Sequence, residues 1–217
     1  MRSRDTKRLK RILARLEQAY PGARCALVHA NPFQLLIATM LSAQCTDECV
    51  NRVSGPLFAR YPGPEDFLKL SEEELAGLIR ECGLNRTKAR HIHAVCRALV
   101  EEHGGQVPAS VEALTALPGV GRKTAGVVLA NAFAGPYLPV DTHVFRVAHR
   151  LGLASGKTPD QVSDELEALV PPDLRLRAHH QLIAHGRQVC TARRPRCAAC
   201  PLAPDCPSRD IFSPSQA

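Results

Sequence analysis

Residues 117–125 read Leu-Pro-Gly-Val-Gly-Arg-Lys-Thr-Ala, a turn with glycines at 119 and 121 set between two expected helices. Both glycines allow backbone conformations closed to other residues, and with no side chains in the way the turn can offer successive N–H groups to a phosphate at the start of the second helix. Lys123 falls in the first turn of that helix, where the helix dipole disfavours a cation. A lysine there suits nucleophilic chemistry, in which an uncharged amine attacks carbon to form a Schiff base; a surface lysine contacting phosphate would occupy the same place. Residues 140–147, Val-Asp-Thr-His-Val-Phe-Arg-Val, put Asp141 at a helix start, where alone it is an N-cap. A carboxylate beside an amine is also what glycosidic cleavage needs, one group stabilising a cationic sugar and the other attacking its anomeric carbon.

The second chemical group is a set of cysteines. Of nine in the chain, Cys190, Cys197, Cys200 and Cys206 follow the spacing C-x6-C-x2-C-x5-C. Four thiolates this close can converge on a metal ion or an iron-sulfur cluster, and the spacing alone leaves zinc and iron-sulfur both open. Pro195, Pro201, Pro204 and Pro207 limit the entropy lost in ordering the loop. Arg193, Arg194 and Arg196 make it basic and suited to a phosphate backbone. The other five cysteines, Cys25, Cys45, Cys49, Cys82 and Cys96, stand among apolar residues and read as buried small hydrophobes. His179, His180 and His185 show no metal-binding spacing and read as ordinary helix residues.

The elements that must position these groups are all helical. Asn31-Pro32-Phe33-Gln34 combines a cap, a first-turn proline and a glutamine, opening an apolar helix to about Gln44 that should be central. A helix starts at Asp47. Ser71-Glu72-Glu73-Glu74 is a capping box, a helix from Thr87 runs to Gly104, and short helices follow at 110–116 and 122–133. An extended stretch through Pro139 leads to helices at about 142–151, 159–170 and 173–185. No alternating strand pattern appears, so the fold class is all-α. Residues 82–89 faintly echo residues 118–125, each placing glycine and arginine before a helix.

The length is enough for one large domain or two small ones with buried cores. The 45% hydrophobic and 23% charged composition excludes disorder, and no apolar run reaches the roughly 20 residues of a membrane helix. The N-terminus has no secretory pattern, so a reducing cytoplasm is expected, which argues against disulfides. Net charge is +7, with seven basic residues and one acid in residues 1–15. A basic excess suits a polyanion, while 4% aromatics and no tryptophan argue against a stacking platform for RNA.

Taken in order, LPGVGRKTA, VDTHVFRV and the four-cysteine spacing resemble the endonuclease III family of helix-hairpin-helix DNA glycosylases. LLIATMLSAQCTD and GLNRTKA are similar to that family too, and the likeness runs from about residue 5 to residue 210. The resemblance implies a six-helix barrel at residues 25–135, a discontinuous iron-sulfur domain from residues 1–24 and 136–217, and a DNA-binding cleft between them. It implies a 4Fe-4S cluster on Cys190, Cys197, Cys200 and Cys206, and damaged double-stranded DNA as partner of a monomeric, cytoplasmic, nucleoid-associated enzyme. That enzyme would excise oxidised pyrimidines and nick 3′ to the abasic site. Lys123 would form the Schiff base and Asp141 would assist it. Gly119, Val120, Gly121, Arg122 and His143 would contact DNA, as would the loop arginines. Gln44 and Leu84 match the residues that fill the space left by a flipped base; their bland readings are a polar helix end and a core leucine.

Asn85 stands where an aromatic is common, Cys45 where alanine or threonine is usual, and Gly126 where asparagine is common. The first two flank the wedge positions and bear on lesion range. The adenine glycosylase family shares hairpin and cluster, but generally has serine at the place of Lys123, an acid in the first buried helix and a further C-terminal domain. Residues 33–44 contain no acid, and the chain stops soon after Cys206. A non-catalytic DNA-binding or redox module would not need Lys123 and Asp141 together. By charge, residues 1–24 with 136–217 hold net +8 and residues 25–135 net −1, so salt-sensitive DNA binding is expected of the former.

Overall fold

The computed structural model describes residues 3–212. Arg2, one of the basic residues counted at the N-terminus, lies outside them. The described residues contain no strand, as expected of an all-α chain. The chain divides into two compact units, Cys25–Gly135 and Met1–Arg24 with Pro136–Ala217.

The contiguous unit holds α1 (Pro32–Leu41), α2 (Asp47–Arg60), α3 (Pro64–Phe67), α4 (Glu72–Leu78), α5 (Asn85–His103), α6 (Val111–Ala116) and α7 (Arg122–Ala132), with a 3-10 turn at Arg80–Cys82. Helix α1 is buried nearly all round and packs against α2, α5 and α7. It is central because the apolar run leaves it no polar face. Asn31 caps it by accepting from the Gln34 amide at 2.9 Å. It ends at Leu41 rather than at Gln44, because Gln44 takes a left-handed conformation with φ 55° that no helix can continue.

The discontinuous unit is built from α8 (Ser3–Ala19), the first helix in the chain, with α9 (Thr142–Arg150), α10 (Pro159–Leu169), α11 (Arg175–Gln188) and the short α12 (Arg209–Phe212). Its core brings Ile12 and Leu16 of α8 against Val144, Val147, Leu182 and Leu202. Gly186 lets α11 approach α9: a Cβ there would lie 2.9 Å from the Cβ of His143. Leu202, fully buried in this core, anchors the cysteine loop.

Candidate active site

The hairpin joins α6 to α7 through Leu117–Gly121, with the Val120 amide donating to the Leu117 carbonyl at 3.1 Å. Its two glycines differ. Gly119 has φ +75°, and a Cβ there would lie 2.8–3.1 Å from the His91 side chain. Gly121, at φ −90° and ψ 172°, is in ordinary extended backbone, and a Cβ there would meet nothing within 4 Å. Of the two, only Gly119 uses the conformational freedom that glycine allows, and the bare backbone of Gly121 faces open space. Gly119→Ala is expected to cost about 1–3 kcal/mol from left-handed strain and the clash with His91. Gly121→Ala should stay within about 1 kcal/mol of wild-type stability while weakening binding to abasic-site duplex about tenfold; thermal unfolding and a binding titration read the two effects separately.

No side chain caps α7, and its first turn contains no acid. Its leading N–H groups are left to solvent or to an anion. Arg122 and Lys123 occupy that turn and both are exposed. Asp141, half-buried, caps α9 through Oδ1 alone, which accepts from the His143 amide at 2.9 Å and the Val144 amide at 2.8 Å. The cap leaves Oδ2 uncommitted. Nη2 of Arg146 lies 3.2 Å from Nδ1 of His143, so that nitrogen accepts, and burial draws the His143 pKa down.

Gln44 and Leu84 are both exposed non-glycine residues in left-handed backbone, with φ 55° and 48°. Leu84 is 55% exposed, which overturns its reading as a core leucine. Leucine gains nothing locally from such a place, at a cost of about 1–2 kcal/mol, and strain of this kind clusters at functional sites. A buried amine holds the two turns. Nζ of Lys88, 6% exposed, donates to the Leu41 carbonyl at 2.8 Å and to the Cys82 carbonyl at 2.7 Å. One cation thus closes the end of α1, behind Gln44, and the 3-10 turn ahead of Leu84. Asn85 adds a bond from Nδ2 to the Ala76 carbonyl at 2.9 Å, so it supports the turn.

All four C-terminal cysteines line a single cavity, with His185, Arg150 and Phe212 among its other walls. Their sulfurs are not gathered as ligands of one ion. Among the described residues the group with three donor atoms all within 4.8 Å of one another is elsewhere, at Cys45, Cys49 and Cys82. Four thiolates on one zinc would stand about 3.8 Å apart, given a Zn–S bond near 2.3 Å. Four thiolates lining one cavity are a donor set that a 4Fe-4S cluster takes. Arg150 sends Nη1 to within 3.4 Å of Cys190 Sγ and bonds the carbonyls of Thr191 and Ala192 at 2.8 and 2.9 Å. Nε2 of His185 lies 3.7 Å from Cys200 Sγ, and its Nδ1 lies 2.9 Å from the Tyr20 hydroxyl. Burial holds His185 down to about 4, so the ring is neutral and His185 is a neighbour of the cysteines rather than an ordinary helix residue. Arg193, Arg194 and Arg196 are exposed.

Three arginines of α8 hold the loop. Arg8 donates to the Asp205 carbonyl at 3.0 Å and also to the Leu151 carbonyl. Arg11 pairs with the Asp205 carboxylate at 2.6 Å, and Arg15 reaches the Pro201 carbonyl at 2.9 Å. Part of the N-terminal positive charge is therefore spent inside the unit. The Arg11 hydrogen bond holds the Asp205 carboxyl below its ordinary 3.8. A depressed carboxylate stabilises the fold above its unfolded pKa and ceases to do so as pH falls through the folded one. Asp205→Asn is expected to cost about 1–2 kcal/mol at neutral pH, with the gap to wild type closing below about pH 4; thermal unfolding at a series of pH values measures it.

The expectation of five buried hydrophobic cysteines holds for Cys82 and Cys96, whereas Cys25, Cys45 and Cys49 are half-buried. No helix among the described residues is long and apolar enough to cross a membrane.

Comparison with known proteins agrees with this geometry. Residues 37–172 match the family described as HhH-GPD superfamily base excision DNA repair protein, and residues 190–206 match the iron-sulfur binding domain of endonuclease III. Endonuclease III of Bacillus subtilis is 46% identical over 199 residues, covering 91% of each chain. That of Escherichia coli K12 is 46% identical over 194 residues, 89% of this chain and 92% of the relative. A trapped endonuclease III–DNA covalent intermediate superposes with TM-score 0.91 at 42% identity, over 97% of this chain and 99% of the other. A thermostable thymine-DNA glycosylase superposes with TM-score 0.85 at 26% identity, over 94% and 98%. With the hairpin, the cysteine loop and nearly the whole length matched, the chain belongs to the endonuclease III family of base excision DNA repair proteins.

Proposed function

We propose that Lys123 and Asp141 carry the chemistry of this bifunctional DNA glycosylase and abasic-site lyase, and that its substrates are oxidised pyrimidines in duplex DNA. The observation that carries the reading is the start of α7, where uncapped N–H groups, the open backbone of Gly121 and an exposed lysine lie within three residues. A DNA phosphate docked on those amides, with Val120 and Arg122 beside them, sets a sugar within reach of Lys123. The uncharged Nζ forms a bond to C1′ as the damaged base leaves with the glycosidic electron pair. The C1′–O4′ bond then breaks to open the sugar and give the Schiff base, which acidifies the C2′ hydrogen, and loss of that proton with β-elimination expels the 3′ phosphate. Asp141, through the oxygen its cap leaves free, assists the lysine and faces the positive charge that develops on the sugar.

Gln44 and Leu84 fill the space of the flipped nucleotide, a role supported by their exposure and their left-handed backbone. His143 and the loop arginines Arg193, Arg194 and Arg196 contact the phosphate backbone, sequence-independently and with salt sensitivity. Cys190, Cys197, Cys200 and Cys206 hold the 4Fe-4S cluster. When bound, it cross-links the basic loop. The enzyme acts as a monomer where the genome lies, in the cytoplasm at the nucleoid.

The test uses duplex DNA with a single oxidised pyrimidine. Release of the base, a nick 3′ to the site and a borohydride-trapped covalent complex are expected together. Base release without nick or trapping would make the enzyme monofunctional, and binding without base release would make it a non-catalytic module.

A further inference from the structure

Away from the iron-sulfur loop, three thiols converge in the contiguous unit. Sγ atoms of Cys45, Cys49 and Cys82 all lie within 4.8 Å of one another. They arrive from three elements: the turn after α1, the first turn of α2, and the last residue of the 3-10 turn Arg80–Cys82. Cys45 stands just before Thr46, the N-cap of α2, and Cys49 lies in that helix's first turn. Cys82 closes the triangle from below, buried, while the other two remain half-buried and leave a way in for an ion.

We propose that Cys45, Cys49 and Cys82 form a second metal site, which takes one thiophilic divalent cation of the zinc class on three thiolates and a water. Soft sulfur donors without a carboxylate or imidazole select such an ion over magnesium or calcium. Three thiolates around a divalent ion carry one net negative charge, and the surroundings supply cations. Nη2 of Arg52 lies 3.6 Å from Cys49 Sγ, and Lys88 bonds the carbonyl of Cys82 at 2.7 Å. Glu81 faces the site through its carbonyl, which accepts from Cys49 Sγ at 3.4 Å, while its carboxylate is paired with Arg52 at 2.7 Å. A disulfide would use two of the sulfurs and strand the third, whereas an ion uses all three. The site has a consequence for the wedge. Cys45 follows Gln44 directly and Cys82 precedes Leu84 by two residues, so a bound ion ties the two left-handed turns together beside the bridge that the Lys88 amine makes to the end of α1.

The full chain, carrying its iron-sulfur cluster, is treated with a mild chelator, supplied with zinc chloride alone, freed of excess metal and analysed for zinc and iron. The proposal expects one zinc per chain with iron unchanged, and protection of Cys45 and Cys49 from iodoacetamide. Cys45→Ser and Cys49→Ser should each weaken zinc retention by about 10–100-fold, and Cys25→Ser, a half-buried cysteine outside the triangle, should retain it. Wild-type helical circular dichroism and an unchanged unfolding midpoint in the serine variants confirm that they fold. Zinc kept by both serine variants, zinc gained only as iron is lost, or no zinc with Cys45 and Cys49 still alkylated would each overturn the site. So would a disulfide within the triangle in a peptide map of anaerobically purified chain.

Discussion

Lys123→Gln abolishes borohydride trapping on abasic-site duplex and slows strand nicking by ~10^3-fold or more, with affinity for that duplex within about threefold of wild type. The separation follows from where the residue sits. Lys123 is exposed at the second position of α7, so its replacement opens no cavity and breaks no cap. Glutamine is a good helix former, and removing a cation from a helix start favours the dipole by about 0.3–1 kcal/mol. The variant should therefore unfold at the same temperature as wild type or slightly above it, while its chemistry is gone. The phosphate-binding amides are backbone groups and survive the change. Single-turnover nicking, trapping and binding titration on one DNA substrate measure all three, and a variant that traps as wild type does would remove Lys123 from the mechanism.

Asp141→Asn is expected to cut base release and nicking by about 10^2–10^3-fold, the range found for removing one preorganised charge partner, at almost no cost in stability. Asparagine caps helices as well as aspartate, and the cap here needs only one side-chain oxygen. Asp141→Ala loses both functions, and the additional loss of about 1 kcal/mol in stability isolates the cap. Comparing unfolding midpoints with single-turnover base release across wild type, asparagine and alanine separates scaffold from chemistry. Equal activity of wild type and the asparagine variant would reduce Asp141 to a cap.

Much of this was legible in the residues because it is local. Caps at Asn31, Ser71 and Asp141 lie where their side chains and the amides two or three residues on dictate. The four-cysteine spacing needs only a short loop to be meaningful. The rest was not legible where the deciding contact is remote or conformational. Nothing in the letters Gly-Val-Gly says that only the first glycine is left-handed, because the second is in glycine's ordinary range. Leu84 looks like core until the backbone at Gly83 and Leu84 turns left-handed and aims it outward. Cys82 is distant in sequence from Cys45 and Cys49, so their convergence depends on α2 meeting the 3-10 turn. Arg8, Arg11 and Arg15 read as a diffuse charge because their partners come from the far end of the chain.

That last separation bears on biosynthesis. Arg11 and Asp205 are 194 residues apart, so the pairing that fastens α8 to the cysteine loop cannot form until Asp205 has left the ribosome. Residues 25–135 are contiguous and emerge earlier, free to fold as a unit during synthesis. Helix α8, made first, must wait for its partners with its apolar stripe of Leu9, Ile12 and Leu16 uncovered. Iron loading then waits for the cysteine loop, and a chain truncated before Asp205 keeps the lysine and its hairpin but leaves α8 without an anchor.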